Sequence, residues 1–164
     1  MADRKTTKKT GEVTSRAIDT TLLDSLVGYN LRRAAARQRE RFRSAFARFD
    51  IRPVQLTALT MILHNDHLGQ SDLGSALGMK RANVVKLLDE LQKRGLIERK
   101  PSNRDRRAYD VHLTSEGRRF TQRILAVHEK LEAQLADLIG EKDLERLVDL
   151  LKKVRRVDPA PKLD

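Results

Sequence analysis

Lys80, Arg81, Ala82, Asn83 and Lys86 combine two kinds of recognition chemistry in one short stretch. Their cations can pair with phosphates. A guanidinium can also fork onto the acceptor edge of guanine, and a carboxamide onto the donor and acceptor pair of adenine. Further along, Arg104, Arg106 and Arg107 stand with a single acid, Asp105. A cationic finger of this kind suits a narrow, electronegative minor groove. From residue 80 to 107, ten Lys or Arg stand against four Asp or Glu, so +6 of the chain's +11 falls in this segment. A basic helical face by itself is more often a solvated surface. The concentration of charge, and the finger that follows, set this segment apart.

The elements that position these groups are legible on either side of them. Leu73, Leu77, Met79, Val84 and Leu87 are apolar where two short helices crossing steeply must pack, and Gly78 lies between them. A glycine there can take positive φ and reverse the chain, while Gly74, one turn earlier, leaves room for close approach. The second helix is expected from Arg81 to Lys93 or Arg94, with Val84, Leu87, Leu88 and Leu91 inward, and Gly95 ends it. Leu96 to Leu113 reads as two short strands around a polar turn, a hairpin or wing. Val111 and Leu113 alternate with Asp110 and His112, which predicts one face on the helices and the other in water. Thr114 should cap the helix that follows.

The rest of the chain is predominantly helical in pattern. The fold class expected is mainly α with a small β-hairpin wing: a winged helix-turn-helix domain flanked by N- and C-terminal dimerisation helices. Residues 1–17 form a basic, polar arm of net charge +3, which reads equally as a DNA tether or as a terminus with no role. Residues 18–157 form one domain, with dimerisation helices over 18–49 and 118–157 and the winged helix-turn-helix over 53–117, and residues 158–164 are a tail. A long helix from about Asp19 to Phe49 carries Leu22, Leu23, Leu26, Leu31, Phe42 and Phe46, and Asp50-Ile51-Arg52-Pro53 interrupts it. Pro53 fits the first turn of the next helix, whose inward positions are Leu56, Leu59, Ile62 and Leu63. Phe120, Ile124, Val127, Leu131, Leu135 and Leu138, and then Leu144, Leu147, Val148, Leu151 and Val154 after Gly140, imply two more helices. A winged-helix core needs only the middle of the chain, so striped helices at both ends call for another surface.

Several functions are disfavoured. The chain has 164 residues, 35% charged and 39% hydrophobic, with a pI near 10.3, a balance that attracts polyanions. It has no cysteine, which excludes disulfides, thiolate-bound metals and thiol chemistry. No apolar run approaches the roughly 20 residues that span a bilayer, and the N-terminus lacks a signal-peptide stretch, so the expected location is the cytoplasm. His64-Asn65-Asp66-His67 is the best metal candidate, yet a capping or solvent-facing role for these imidazoles is favoured and no metal site is assigned. No phosphate-binding glycine loop or nucleophile elbow appears, so no catalytic residue, enzyme activity or cofactor is assigned.

Asp105, Arg107, Leu113, Thr114 and Gly117 follow the wing pattern of the MarR regulators of multiple antibiotic resistance, and the chain resembles that family over about residues 20–155. Arg52-Pro53-Val54-Gln55-Leu56 and Gly95-Leu96-Ile97-Glu98-Arg99 extend the resemblance. Met79-Lys80-Arg81-Ala82 departs from the small hydroxyl residues often found at that place, which bears on the operator sequence. The resemblance implies that Arg81, Ala82, Asn83 and Lys86, with Lys80 beside them, enter the major groove. It also implies that Ser71 meets phosphate and that Arg104 and Arg106 reach from the wing. Asp105 and Arg107 shape the wing, and Arg107 touches DNA as well. It further implies a homodimer on a pseudo-palindromic operator and a small-molecule effector, with Tyr29, Arg33 and His67 as candidate contacts. Arg32, Arg33, Arg37, Arg39, Arg41 and Arg43 add the idea of a bulky anionic effector such as an acyl-coenzyme A thioester, against the alternative of a solvated face. The function expected is a ligand-released repressor. A sequence-tolerant nucleic-acid-coating protein and a module for an acidic protein partner remain as alternatives.

Overall fold

The computed structural model describes residues 18–102 and 109–157. In chain order these form α1 (Thr21–Asp24), α2 (Val27–Phe46), a 3-10 turn (Ala47–Phe49), α3 (Pro53–His64), β1 (Leu68–Gly69), α4 (Gln70–Leu77), α5 (Arg81–Lys93), β2 (Ile97–Pro101), β3 (Tyr109–Leu113), α6 (Ser115–Ile139) and α7 (Glu141–Val154). The architecture is mostly helical with a small antiparallel sheet. The chain divides into two compact units, Met1–Gln38 and Arg39–Asp164.

In the first unit, the continuous helix expected from Asp19 is broken at Ser25 and Leu26. Side chains compete with the helical backbone there. Asn30 Nδ2 donates to the carbonyls of Asp24 and Leu26 at 2.8 and 2.9 Å, and Ser25 Oγ donates to Leu22 O at 2.7 Å. The Thr21 hydroxyl, and then its N–H, donate to Asp19 and hold that carboxyl below its ordinary range. Ile18, Leu22 and Val27 are exposed.

In the second unit, Asp50 takes a left-handed conformation that ends the 3-10 turn, and Pro53 begins α3 as expected. Leu56, Leu59 and Ile62 of α3 are buried with Leu73 of α4, Val84, Leu87, Leu88 and Leu91 of α5, Ile97 of β2, Val111 of β3 and Phe120 and Ile124 of α6. Gly78, at φ +61°, caps α4 and turns the chain into α5. Gly74 lies so close to α5 that an added Cβ would stand 3.3 Å from Val84 Cγ2.

The sheet order is β1-β3-β2, with Ile97 opposite Leu113 and Pro101 opposite Tyr109 in the hairpin. The sequence pattern predicts the hairpin but not β1, whose two residues pair Leu68 with Val111 and Gly69 with Asp110. That third strand overturns the expectation that Asp110 meets water. With β1 alongside it and His67 Nδ1 3.3 Å from its carboxylate, Asp110 is buried. Thr114 caps α6 by accepting from Gly117 N at 2.9 Å, and its hydroxyl donates to Gly95 O at 2.6 Å, joining α6 to the end of α5. α7 buries none of its residues, and Leu147, Val148, Leu150, Leu151 and Val154 stay exposed along it.

Candidate nucleic-acid interface

The inner face of α5 is fixed by burial of Val84, Leu87, Leu88 and Leu91, so its opposite face is dictated. Arg81, Ala82 and Asn83 occupy the first turn, Lys86 the second, and Lys80 precedes them in extended conformation. All five are exposed, as is Ser71 in the first turn of α4. Among the described residues, the side chains of Lys80, Arg81, Asn83 and Lys86 have no hydrogen-bond or ion-pair partner. These donors are therefore presented to solvent. A cleft of about 510 Å³ lined by Ser71, Gly74, Lys80, Arg81 and Val84 lies along the helix-turn-helix. A second, of about 700 Å³, runs from Ser71 and Arg81 to Arg99 and Tyr109 at the wing base.

Other polar groups hold α5 in place. Arg52 at the start of α3 pairs with Glu90, and Gln55 Nε2 donates to the same carboxylate at 3.3 Å. Arg94 donates to the carbonyls of Asp50 and Phe49 at 2.7 and 3.1 Å. Arg99 Nη2 donates to Asp89 Oδ1 at 2.6 Å, and its Nη1 to Gln92 Oε1. Lys100 pairs with Glu98 at 2.9 Å. Of the seven described cations between residues 80 and 102, Arg94, Arg99 and Lys100 thus face protein partners. No local pattern ties Asp89 to Arg99 or Arg94 to Asp50, so only folding reveals these pairs.

The wing-tip residues Arg104, Asp105, Arg106 and Arg107 lie outside the described residues, as do the arm 1–17 and the tail 158–164. Tyr29 and Arg33 are one turn apart on α2, the first half-buried and the second exposed. His67 takes positive φ, +58°, and its imidazole engages Asp110 of β3. Of the arginine-rich stretch, Arg41 donates to Leu131 O of α6 at 2.9 Å, whereas Arg32, Arg33, Arg39 and Arg43 are exposed. No helix of the described residues is long and apolar enough to cross a membrane.

The MarR family's sequence profile matches residues 49–108. A solved structure of the transcriptional repressor CouR bound to a 23-mer DNA duplex is 31% identical, with 86% of this chain and 100% of that chain aligned at a TM-score of 0.81. CouR bound to p-coumaroyl-CoA aligns at 29% identity over 87% of this chain and 100% of that one, with a TM-score of 0.76. A probable transcriptional regulator from Pseudomonas aeruginosa is 28% identical, covering 80% of this chain and 98% of its own, with a TM-score of 0.73. The winged helix, the exposed basic face of α5 and the similarity to a repressor over 86% of this chain converge, and the chain belongs to the MarR family of transcriptional regulators.

Proposed function

We propose that this regulator is a homodimeric repressor that binds a pseudo-palindromic operator and leaves it when an acyl-coenzyme A thioester binds. The carrying observation is the exposed, unpartnered row Lys80, Arg81, Asn83 and Lys86 on a helix whose opposite face is locked into the core. Such a helix fits the major groove, where Arg81 and Asn83 read base edges and Lys80, Lys86 and Ser71 hold phosphates. The wing arginines Arg104, Arg106 and Arg107 reach the adjacent minor groove, with Asp105 and Arg107 shaping the wing.

The uncovered apolar faces of α1 and α7 support a second copy, since water-exposed Leu and Val at helical spacing are stabilised by burial. CouR at 31% identity binds a DNA duplex, and its complex with p-coumaroyl-CoA supports an acyl-coenzyme A thioester with an aromatic acyl group as effector. Tyr29, Arg33 and His67 are the candidate effector contacts, and the exposed Arg32, Arg39 and Arg43 suit its phosphates. The thioester shifts the protein toward a conformation of lower operator affinity by binding that conformation more tightly.

Asn83→Ala separates this reading from its rivals. Loss of a bidentate base contact should weaken operator binding by about 1–3 kcal/mol, roughly 5- to 150-fold, and leave random-duplex binding nearly unchanged. Equal small losses on both duplexes, measured by fluorescence anisotropy, would indicate a coating protein. Indifference to DNA altogether would indicate a protein-partner module.

A further inference from the structure

The geometry points to Arg99 as a positioning residue for DNA recognition: it fixes the angle between the recognition helix α5 and the wing through Asp89 and Gln92, and does not itself contact DNA. Arg99 sits in the middle of β2, opposite Val111 of β3. Its guanidinium leaves the sheet and reaches back to two successive turns of α5, donating from Nη2 to Asp89 Oδ1 at 2.6 Å and from Nη1 to Gln92 Oε1. A planar fork held on two acceptors resists rotation in a way a single contact cannot. The pair is partly shielded, Arg99 being 26% and Asp89 47% exposed, so its worth as bulk stability is small. Its value is geometric.

The neighbouring pairs do other work. Glu90 faces away to Arg52 and Gln55 at the start of α3, and Arg94 is held by backbone carbonyls of the preceding turn. Neither hydrogen-bonds through its side chain to a strand among the described residues. The Asp89–Arg99–Gln92 cluster is therefore the only side-chain hydrogen-bonded link from α5 to β2 or β3 among the described residues. A strand rises about 3.3 Å per residue, so a play of about 10° at Arg99 displaces the end of β2, two residues on, by roughly 1 Å. That displacement exceeds the roughly 0.5 Å range over which hydrogen-bond lengths vary, enough to let the helix or the wing seat correctly but not both. Loss of the link should thus reduce discrimination between sequences more than general attraction to DNA.

The inference rests on the operator reading above, and the test keeps the two apart. The wild-type homodimer first selects duplexes from a random-sequence pool. Binding of the selected duplex and of an unselected pool duplex is then titrated against salt for wild type, Arg99→Gln, Arg99→Lys and the exchange Asp89→Arg with Arg99→Asp. The expected result is a loss of about 10-fold or more for Arg99→Gln and Arg99→Lys on the selected duplex. Affinity for the pool duplex and the slope of log K against log salt stay at wild type, and the charge exchange restores most of the loss.

A phosphate contact gives the opposite pattern. Arg99→Gln then loses similarly on both duplexes, its salt slope falls by about 1, and Arg99→Lys stays near wild type. That result, or unchanged discrimination in Arg99→Gln, overturns the inference. If Arg99→Gln does not fold, Arg99→Lys and the exchanged pair decide by the same criteria. A readout without DNA stands beside these. Arg99 Nη proton signals in wild type should be separately resolved, because the fork hinders rotation, and should merge in Asp89→Asn. If they are merged in wild type, the link is absent in solution and the inference fails whatever the DNA does. A wild type that selects no sequence sinks the operator reading and this role of Arg99 with it, whereas selection by wild type with undiminished selection by the Arg99 variants sinks only the latter.

Discussion

Gly117→Ala is expected to lower stability by about 3 kcal/mol or more, a fall of roughly 10 °C in Tm for a chain of this size. A Cβ at this position would lie 1.8 Å from Leu96 O and 2.7 Å from Leu96 C. Those atoms are backbone, and no rotamer change relieves the clash. Leu96 O is also committed, accepting from Thr114 N at 3.1 Å, while Gly117 N donates to Thr114 Oγ1. The first turn of α6 must therefore move away from the α5–β2 junction, breaking the cap and the close approach together. Thermal unfolding followed by circular dichroism checks this. A Tm within about 2 °C of wild type would show that α6 can shift without cost and that the close approach is incidental.

The second large effect is expected from Phe46→Ala, at about 3–5 kcal/mol. Phe46 is 1% exposed and lies at the centre of an aromatic row. It stacks on Phe42 with centroids 4.2 Å apart and stands 6.1 Å from Phe49, which meets Phe120 edge-on at 6.1 Å. Removing the ring leaves a cavity bordered by aromatic faces that cannot collapse without disturbing α6 through Phe120. Phe42→Ala removes an equal ring from a half-buried position and should cost clearly less. Chemical denaturation of the two variants compares them directly. Equal costs would contradict the assignment of Phe46 as the packing centre.

These two positions also show what a sequence can and cannot convey. Gly117 is visible as part of the pattern Leu113, Thr114 and Gly117, yet the reason for a glycine there is the backbone of Leu96, and such an approach leaves no periodic trace. α5 was legible to within a residue because its buried positions recur at helical spacing and Gly95 follows it. β1 was not, because two residues carry no period. The alternation in the sequence accordingly puts Asp110 on a solvent face, whereas β1 and His67 enclose it. The helix predicted to begin near Asp19 was broken by Ser25 and Asn30, whose side chains satisfy the backbone groups that the break leaves without helical partners. In the interface, the exposed row from Lys80 to Lys86 followed from the helical period. The division of basic residues into those presented to solvent and those held by Asp89 and backbone carbonyls did not, since the pairings of Arg99 with Asp89 and of Arg94 with Asp50 span elements that only the fold brings together.

The most direct measurement is binding of the purified protein to the duplex immediately upstream of its own gene, against a shuffled duplex of equal length at the same moderate salt. A repressor that reads bases through α5 should prefer the upstream duplex by a factor on the order of a thousand or more, with the preference persisting as salt rises. Near-equal affinities that fall together with salt would contradict the operator reading and leave only a general attraction between a basic surface and phosphate.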